Sequence, residues 1–150
     1  MSQRRFTSEV AEWVKGVGLR PTRQRVALAR LLFDHGHRHV TAEQLHSEAK
    51  AAEIPVSLAT IYNTLNQFTR AGLLREVVVE PGRSYFDTNT NDHHHFYFED
   101  SGSLRDIPGD QVELGNLPAA PEGTSVDRVD VIIRVREHQG QNADRTGTSN

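Results

Sequence analysis

The chain has 150 residues, no cysteine, a net charge of −3 and 36% hydrophobic residues. That length holds one domain or two small ones sharing a core or an interface, and the missing thiols exclude disulfides and every thiolate metal site. No run approaches the ~18 consecutive apolar residues of a membrane helix, and no apolar stretch follows the two N-terminal arginines. A soluble cytoplasmic protein with no membrane partner is expected.

The charge is uneven along the chain. Residues 1–75 carry 11 Lys/Arg against 6 Asp/Glu, whereas residues 76–150 carry 6 against 14. A basic half can face phosphates, and an acidic half rich in Asp and His can hold cations.

A first helix is expected from Ser8, as its cap, to Val17, with Val10, Trp13, Val14 and Val17 on one face and Gly18 ending it. Thr22 then caps a second helix that buries Val26, Leu28, Ala29, Leu31, Leu32 and Phe33. Arg20, Arg23 and Arg25 crowd its first turn. Cations there oppose the helix dipole, a cost that a nearby phosphate would offset. His35, His37 and His39 alternate in a loop, and Thr41 with Gln44 forms a capping box for a third helix, with Val40 and Leu45 spaced as a hydrophobic staple.

Ser57 to Gly72 predicts the fourth helix, capped by Ser57 and closed by a left-handed Gly72. Leu58, Ile61, Leu65 and Phe68 recur on one face, while Thr60, Asn63, Gln67 and Arg70 line the other, flanked by Tyr62 and Asn66. That polar face carries groups able to reach base edges and phosphates, and no acid of its own to repel them. Two short helices joined by a brief turn, the second presenting the reading face, make a helix-turn-helix. Two β-rich runs around Pro81-Gly82 then predict a hairpin with Arg83 near its tip, which completes a winged-helix arrangement.

Residues 88–92 are a polar hinge between a first domain, 1–87, and a second, 93–138; residues 139–150 are expected to be a disordered tail. In the second domain His93 to Phe98 and Leu104 to Ile107 predict strands, and Asp110 to Leu117 allows a short helix. Val126 to Val135 predicts the strongest strand. Its Val129, Val131, Ile133 and Val135 form an apolar face that so small a sheet cannot cover, so a second copy of the chain is the expected cover. The fold class is α+β: a winged-helix domain, then a small α/β dimerisation domain.

LRPTRQR (19–25), HVTAEQL (39–45), VSLATIYNTLNQFTRAGLL (56–74), SYFD (84–87) and DHHHFYFEDSG (92–102) resemble, in order and spacing, the ferric uptake regulator superfamily. The resemblance covers about residues 8–136. Through YNTLNQFTRAGLL, YFDTNT and the HHH run, the chain is most similar to the iron response regulator branch of alphaproteobacteria.

The resemblance implies a homodimeric repressor bound to double-stranded DNA at AT-rich inverted repeats. Tyr62 would touch bases, Arg20 would reach the minor groove, and Thr60 and Asn63 would lie on phosphates or bases. Arg25, Ser57, Gln67 and Arg83 complete the DNA-facing set. A divalent metal (Fe, Mn or Zn) would be held by His39, Asp87, His93 and His95 in a site drawing on both domains. Alternation along a strand agrees for one pair, since His93 and His95 project to one side and His94 to the other.

The iron response branch implies haem as effector, ligated by histidine at His93, His94 and His95 and releasing the protein from DNA; activation by Fe(II) or Mn(II) is the alternative. Phe98 and Ser101 stand where relatives carry a CxxC zinc pair, so no cysteine-ligated structural zinc is expected. A second metal set of Asp92, His94 and Glu113 has Val129 where relatives place a further histidine. His35, His37, His46 and His138 carry no expected role. An enzyme is not expected, because no HExxH helix is present. A winged helix that binds protein instead of DNA remains open.

Overall fold

The computed structural model describes residues 3–138, with side chains from Glu9 onward. It divides into two compact units between Asn91 and Asp92, inside the segment expected as a hinge. The expected tail at 139–150 lies outside the described residues.

In the first unit, α1 (Gln3–Gly16), α2 (Arg23–Phe33), α3 (Ala42–Ala51) and α4 (Leu58–Arg70) surround one core. Leu28, Leu32, Leu45, Ile61, Leu65 and Phe68 are fully buried there. Helix α1 begins ahead of Ser8, which lies within it and not at its cap. Trp13 is 40% exposed and meets Phe33 edge to face, centroids 4.7 Å apart, so it sits at the rim of the core. Thr22, Thr41 and Ser57 each cap as the sequence predicts, and the Thr41–Gln44 box is complete in both directions.

Helices α3 and α4 end in the same way. After α4, Gly72 takes φ +82°, and the amides of Gly72 and Leu73 donate to the carbonyls of Thr69 and Phe68. After α3, Glu53 takes φ +59°, and the amides of Glu53 and Ile54 donate to Lys50 and Ala49. The α3 closure puts a side chain where glycine is favoured, at a cost of about 1–2 kcal/mol.

Beyond the helices lies a three-stranded sheet, ordered β1–β3–β2, from β1 (His39–Val40), β2 (Arg75–Glu80) and β3 (Arg83–Asp87). Strand β1 lies in what the sequence marks as a loop. It is too short for any periodicity and exists because β3 offers it a free edge. Pro81-Gly82 forms the two-residue turn, with Gly82 at φ +77°. Proline followed by a positive-φ glycine matches a type II turn, whose twist opposes that of the strands; the register shift between Val78 and Glu80 takes up the mismatch. Thr88, expected in the hinge, belongs to this sheet's border. Its amide donates to the Arg38 carbonyl at 3.0 Å, and its hydroxyl accepts from the Arg38 amide at 2.8 Å.

The second unit is a sheet ordered β5–β4–β6, from β4 (His93–Phe98), β5 (Ser103–Pro108) and β6 (Ile132–Val135). Two expectations are corrected here. The helix allowed at 110–117 is only a 3-10 turn, Gly109–Gln111, because Gly115, Asn116 at φ +56° and Pro118 prevent its continuation. The strand expected over 126–135 is confined to β6, which runs parallel to β4. The Val131 amide donates to the His94 Nδ1 at 3.1 Å, a side chain and not a strand carbonyl, so the ladder stops there. Leu114, Leu117, Val126 and Ile133 remain exposed.

Candidate nucleic-acid interface and metal-ligand groups

Helix α4 presents Tyr62, Asn63, Asn66 and Arg70 to solvent, with Thr60 and Gln67 half-buried, as the spacing requires. The Ser57 hydroxyl is engaged as a cap: it accepts from the Thr60 amide at 3.1 Å and shares a hydrogen bond with the Thr60 hydroxyl at 3.0 Å. Arg25 and Gln67 bind each other. Gln67 Oε1 accepts from Arg25 Nε at 3.1 Å and from Nη2 at 2.9 Å, while Nη1 donates to the Arg20 carbonyl at 3.0 Å. This ties the start of α2 to the polar face of α4 and fixes the guanidinium plane. Arg20 and Arg23 are exposed beside it.

Arg83, exposed at the hairpin tip, lines a cavity of about 690 Å³ together with Tyr62 and Asn66 of α4. The first turn of α3 supplies another wall, and with it an acid. Glu43 Oε1 accepts from the Tyr62 hydroxyl at 2.6 Å. Helix α4 has no acid of its own, but tertiary packing brings one onto its tyrosine. That hydrogen bond holds the Glu43 carboxyl below its usual range, with the residue's own amide adding to the effect, and it pushes the Tyr62 phenol up.

The candidate metal ligands fall into two groups, each inside one unit. In the first, β1 pairs with β3 so that His39 stands opposite Asp87, and His39 Nε2 lies 3.2 Å from Asp87 Oδ2. The other carboxylate oxygen accepts from the Asn89 amide at 2.8 Å, so the fully buried Asp87 is oriented by its own turn. In the second, His93 and His95 share one face of β4 with ring centroids 4.6 Å apart. Asp106, opposite His95 on β5, puts Oδ1 3.5 Å from His93 Nε2 and 3.4 Å from His95 Nε2. The ligand atoms of these three lie within 4.8 Å of one another. Imidazole and carboxylate are the donors that suit Fe(II), Mn(II) and Zn(II), so the residues fit such an ion.

Asp106 was missed by sequence reasoning. Its signal was the two-residue alternation in LRDIP opposite HHH, which becomes readable only once the register of β4 against β5 is known. His94 projects away from His93 and His95, and its Nδ1 is occupied by the Val131 amide. His35 lies in the turn after α2, and His46 is half-buried on α3. Among the described residues no helix is long and apolar enough to cross a membrane.

The sequence profile of the ferric uptake regulator family matches residues 16–133. A peroxide-responsive repressor, PerR, of Staphylococcus aureus is 36% identical over 95 residues, which is 63% of this chain and 63% of that relative's length. Among solved structures, the ferric uptake regulator from Pseudomonas aeruginosa with manganese superposes with a TM-score of 0.64 at 25% identity, covering 85% of this chain and 97% of that one. The Vibrio cholerae ferric uptake regulator shares the fold, with a TM-score of 0.66 at 24% identity over 84% and 98% of the two chains. A helix-turn-helix, a wing, a second three-stranded unit and a profile match across most of the sequence agree: the chain belongs to the ferric uptake regulator family.

Proposed function

We propose that the protein is a dimeric, DNA-binding transcription regulator whose operator affinity responds to a divalent metal ion. The observation that carries this reading is the pairing of His39 with Asp87 at 3.2 Å, in the unit that also holds the reading helix. His39 with Asp87 in the first unit, and His93 and His95 with Asp106 in the second, are imidazole–carboxylate sets of the kind that would hold such an ion. A bound ion would neutralise the carboxylate it meets; the chain supplies orientation, through the Asp87–Asn89 turn and the β4–β5 register. Support for a metal also comes from the Pseudomonas aeruginosa relative, described with manganese.

Arg20, Arg25, Thr60, Tyr62, Asn63 and Arg83 are the proposed DNA contacts. Ser57 and Gln67 act behind them, by capping α4 and by holding Arg25. Leu114, Leu117, Val126 and Ile133 support a second copy of the chain as the cover of the second unit.

Haem release, the property of the iron response branch, is the second effector reading and rests on the HHH run. The geometry favours the divalent ion: His93 and His95 converge on Asp106, while the Nδ1 of His94 already accepts a backbone hydrogen bond. The test is selection from a random duplex pool by the purified protein, then titration of the selected operator with Mn(II), Fe(II), Zn(II) and haem separately. Because the curated relatives are named peroxide-responsive repressors, hydrogen peroxide on the Fe(II)-loaded protein is a further arm. Tighter binding with a divalent ion, abolished by His95→Ala, is expected. Release by haem alone would replace the metal reading, and no selected duplex would overturn both.

A further inference from the structure

The Tyr62 phenol can donate one hydrogen bond and accept others, and in this fold its donor is already committed. Its hydroxyl donates to Glu43 Oε1 at 2.6 Å, across 19 residues of sequence. Glu43 is placed by its helix. It occupies the first turn of α3 behind the complete Thr41–Gln44 capping box, where the helix dipole favours a carboxylate. Both residues line the same cavity as Glu76 and Arg83 of the hairpin. Glu76 is itself engaged there, accepting from the Ser84 hydroxyl at 2.8 Å. Tyr62 is the one exposed tyrosine of the three in the chain, since Tyr85 and Tyr97 are buried.

We infer that Glu43 is a positioning and specificity-determining residue: by accepting the Tyr62 hydrogen bond it presents the phenol oxygen to DNA as an acceptor with a fixed ring. The inference rests on the DNA-binding function proposed for the chain. Its consequence comes from the major-groove pattern. An acceptor-only oxygen suits the amino donors of adenine or cytosine, and the fixed ring suits a thymine methyl; neither suits guanine O6 or a purine N7. A freed hydroxyl could donate to those acceptors, so removing the carboxylate should broaden what Tyr62 tolerates. On a bound duplex the carboxylate would also repel phosphates, so its loss should strengthen binding to any duplex while weakening discrimination.

The experiment compares wild type, Glu43→Gln, Glu43→Ala, Tyr62→Phe and the Glu43→Ala/Tyr62→Phe double variant. Each is measured on the selected operator, on operators substituted one base pair at a time, and on an unrelated duplex, with the phenol of the DNA-free protein titrated in parallel. Glu43→Gln keeps an acceptor for Tyr62 and should keep the base preference. Glu43→Ala should lose about five- to tenfold of discrimination at one base pair, as expected for one hydrogen-bonded contact. It should bind the unrelated duplex at least as tightly as wild type, and its phenol should titrate at lower pH. The double variant should be no worse than the worse single one. A uniform loss on every duplex would mark Glu43 as structural and overturn the inference, as would a Glu43→Ala variant with unchanged discrimination. Wild-type protein that selects no duplex would instead overturn the DNA-binding reading itself.

Discussion

His39 and Asp87 stand directly opposite each other on β1 and β3, with Nε2 and Oδ2 3.2 Å apart, although 48 positions of sequence separate them. A two-residue strand brings them together, and the Arg38–Thr88 hydrogen bonds just beyond the pair hold that strand in register. If the two are metal ligands, His39→Ala should weaken Mn(II) binding by at least about tenfold while leaving the thermal midpoint of the metal-free protein nearly unchanged, since the loss of a group that only orients a ligand already costs about 10–100-fold. Isothermal calorimetry with Mn(II) checks this. Unaltered affinity would leave His39 a structural partner of Asp87.

The Glu43–Tyr62 hydrogen bond has a pH window whose two edges are set by the directions of the shifts. Glu43 is lowered, chiefly by the Tyr62 hydroxyl and then by its own amide, so its contribution is present above the ordinary carboxylate range and is lost as pH falls through the lowered value. Tyr62 is raised, chiefly by the same bond, so its contribution is present below the ordinary phenol value and lost as pH rises through the raised one. The bond is therefore intact across the neutral range. The ultraviolet phenolate band of Tyr62 should appear at higher pH in wild type than in Glu43→Ala.

The two similar helix closures should respond oppositely to substitution. Gly72→Ala places a Cβ at φ +82° and should destabilise the first unit by about 1–2 kcal/mol, whereas Glu53→Gly removes a side chain from φ +59° and should stabilise it by a few tenths to about 1 kcal/mol. Denaturant midpoints of the two variants, compared with wild type, test the contrast.

Gly109 is a packing glycine. A Cβ there would come within 2.9 Å of the Asp92 carbonyl oxygen, a backbone atom that cannot rotate out of the way. Gly109→Ala should therefore disturb the entry of β4 and cost the second unit about 1–3 kcal/mol, the range of overpacking, while leaving the first unit's unfolding unchanged. Amide hydrogen exchange resolved by segment would show protection lost over 93–108 only.

The first unit was legible in the sequence wherever a local signal exists. Thr22, Thr41 and Ser57 cap because a hydroxyl within reach of the third amide needs nothing distant, and the α4 face is set by a spacing shorter than one helix. Signals failed where the deciding partner was remote. Ser8 looked like a cap because nothing local marks the earlier start, and residues 126–131 looked like a strand because alternation cannot reveal that the His94 ring takes the Val131 amide.

The sequence alone determined which residues could act: a basic first half with an acid-free fourth helix, a second half with imidazoles two apart on a strand, and a chain without thiols. Tertiary structure decided which of them meet. Register set His39 on Asp87 and Asp106 beside His93 and His95, and packing set Glu43 on Tyr62 and Gln67 on Arg25. The reason is one of range: capping and periodicity act within a few residues, whereas a hydrogen bond or a shared ligand needs two segments fixed to within about 0.5 Å, which only pairing and packing of distant elements provide.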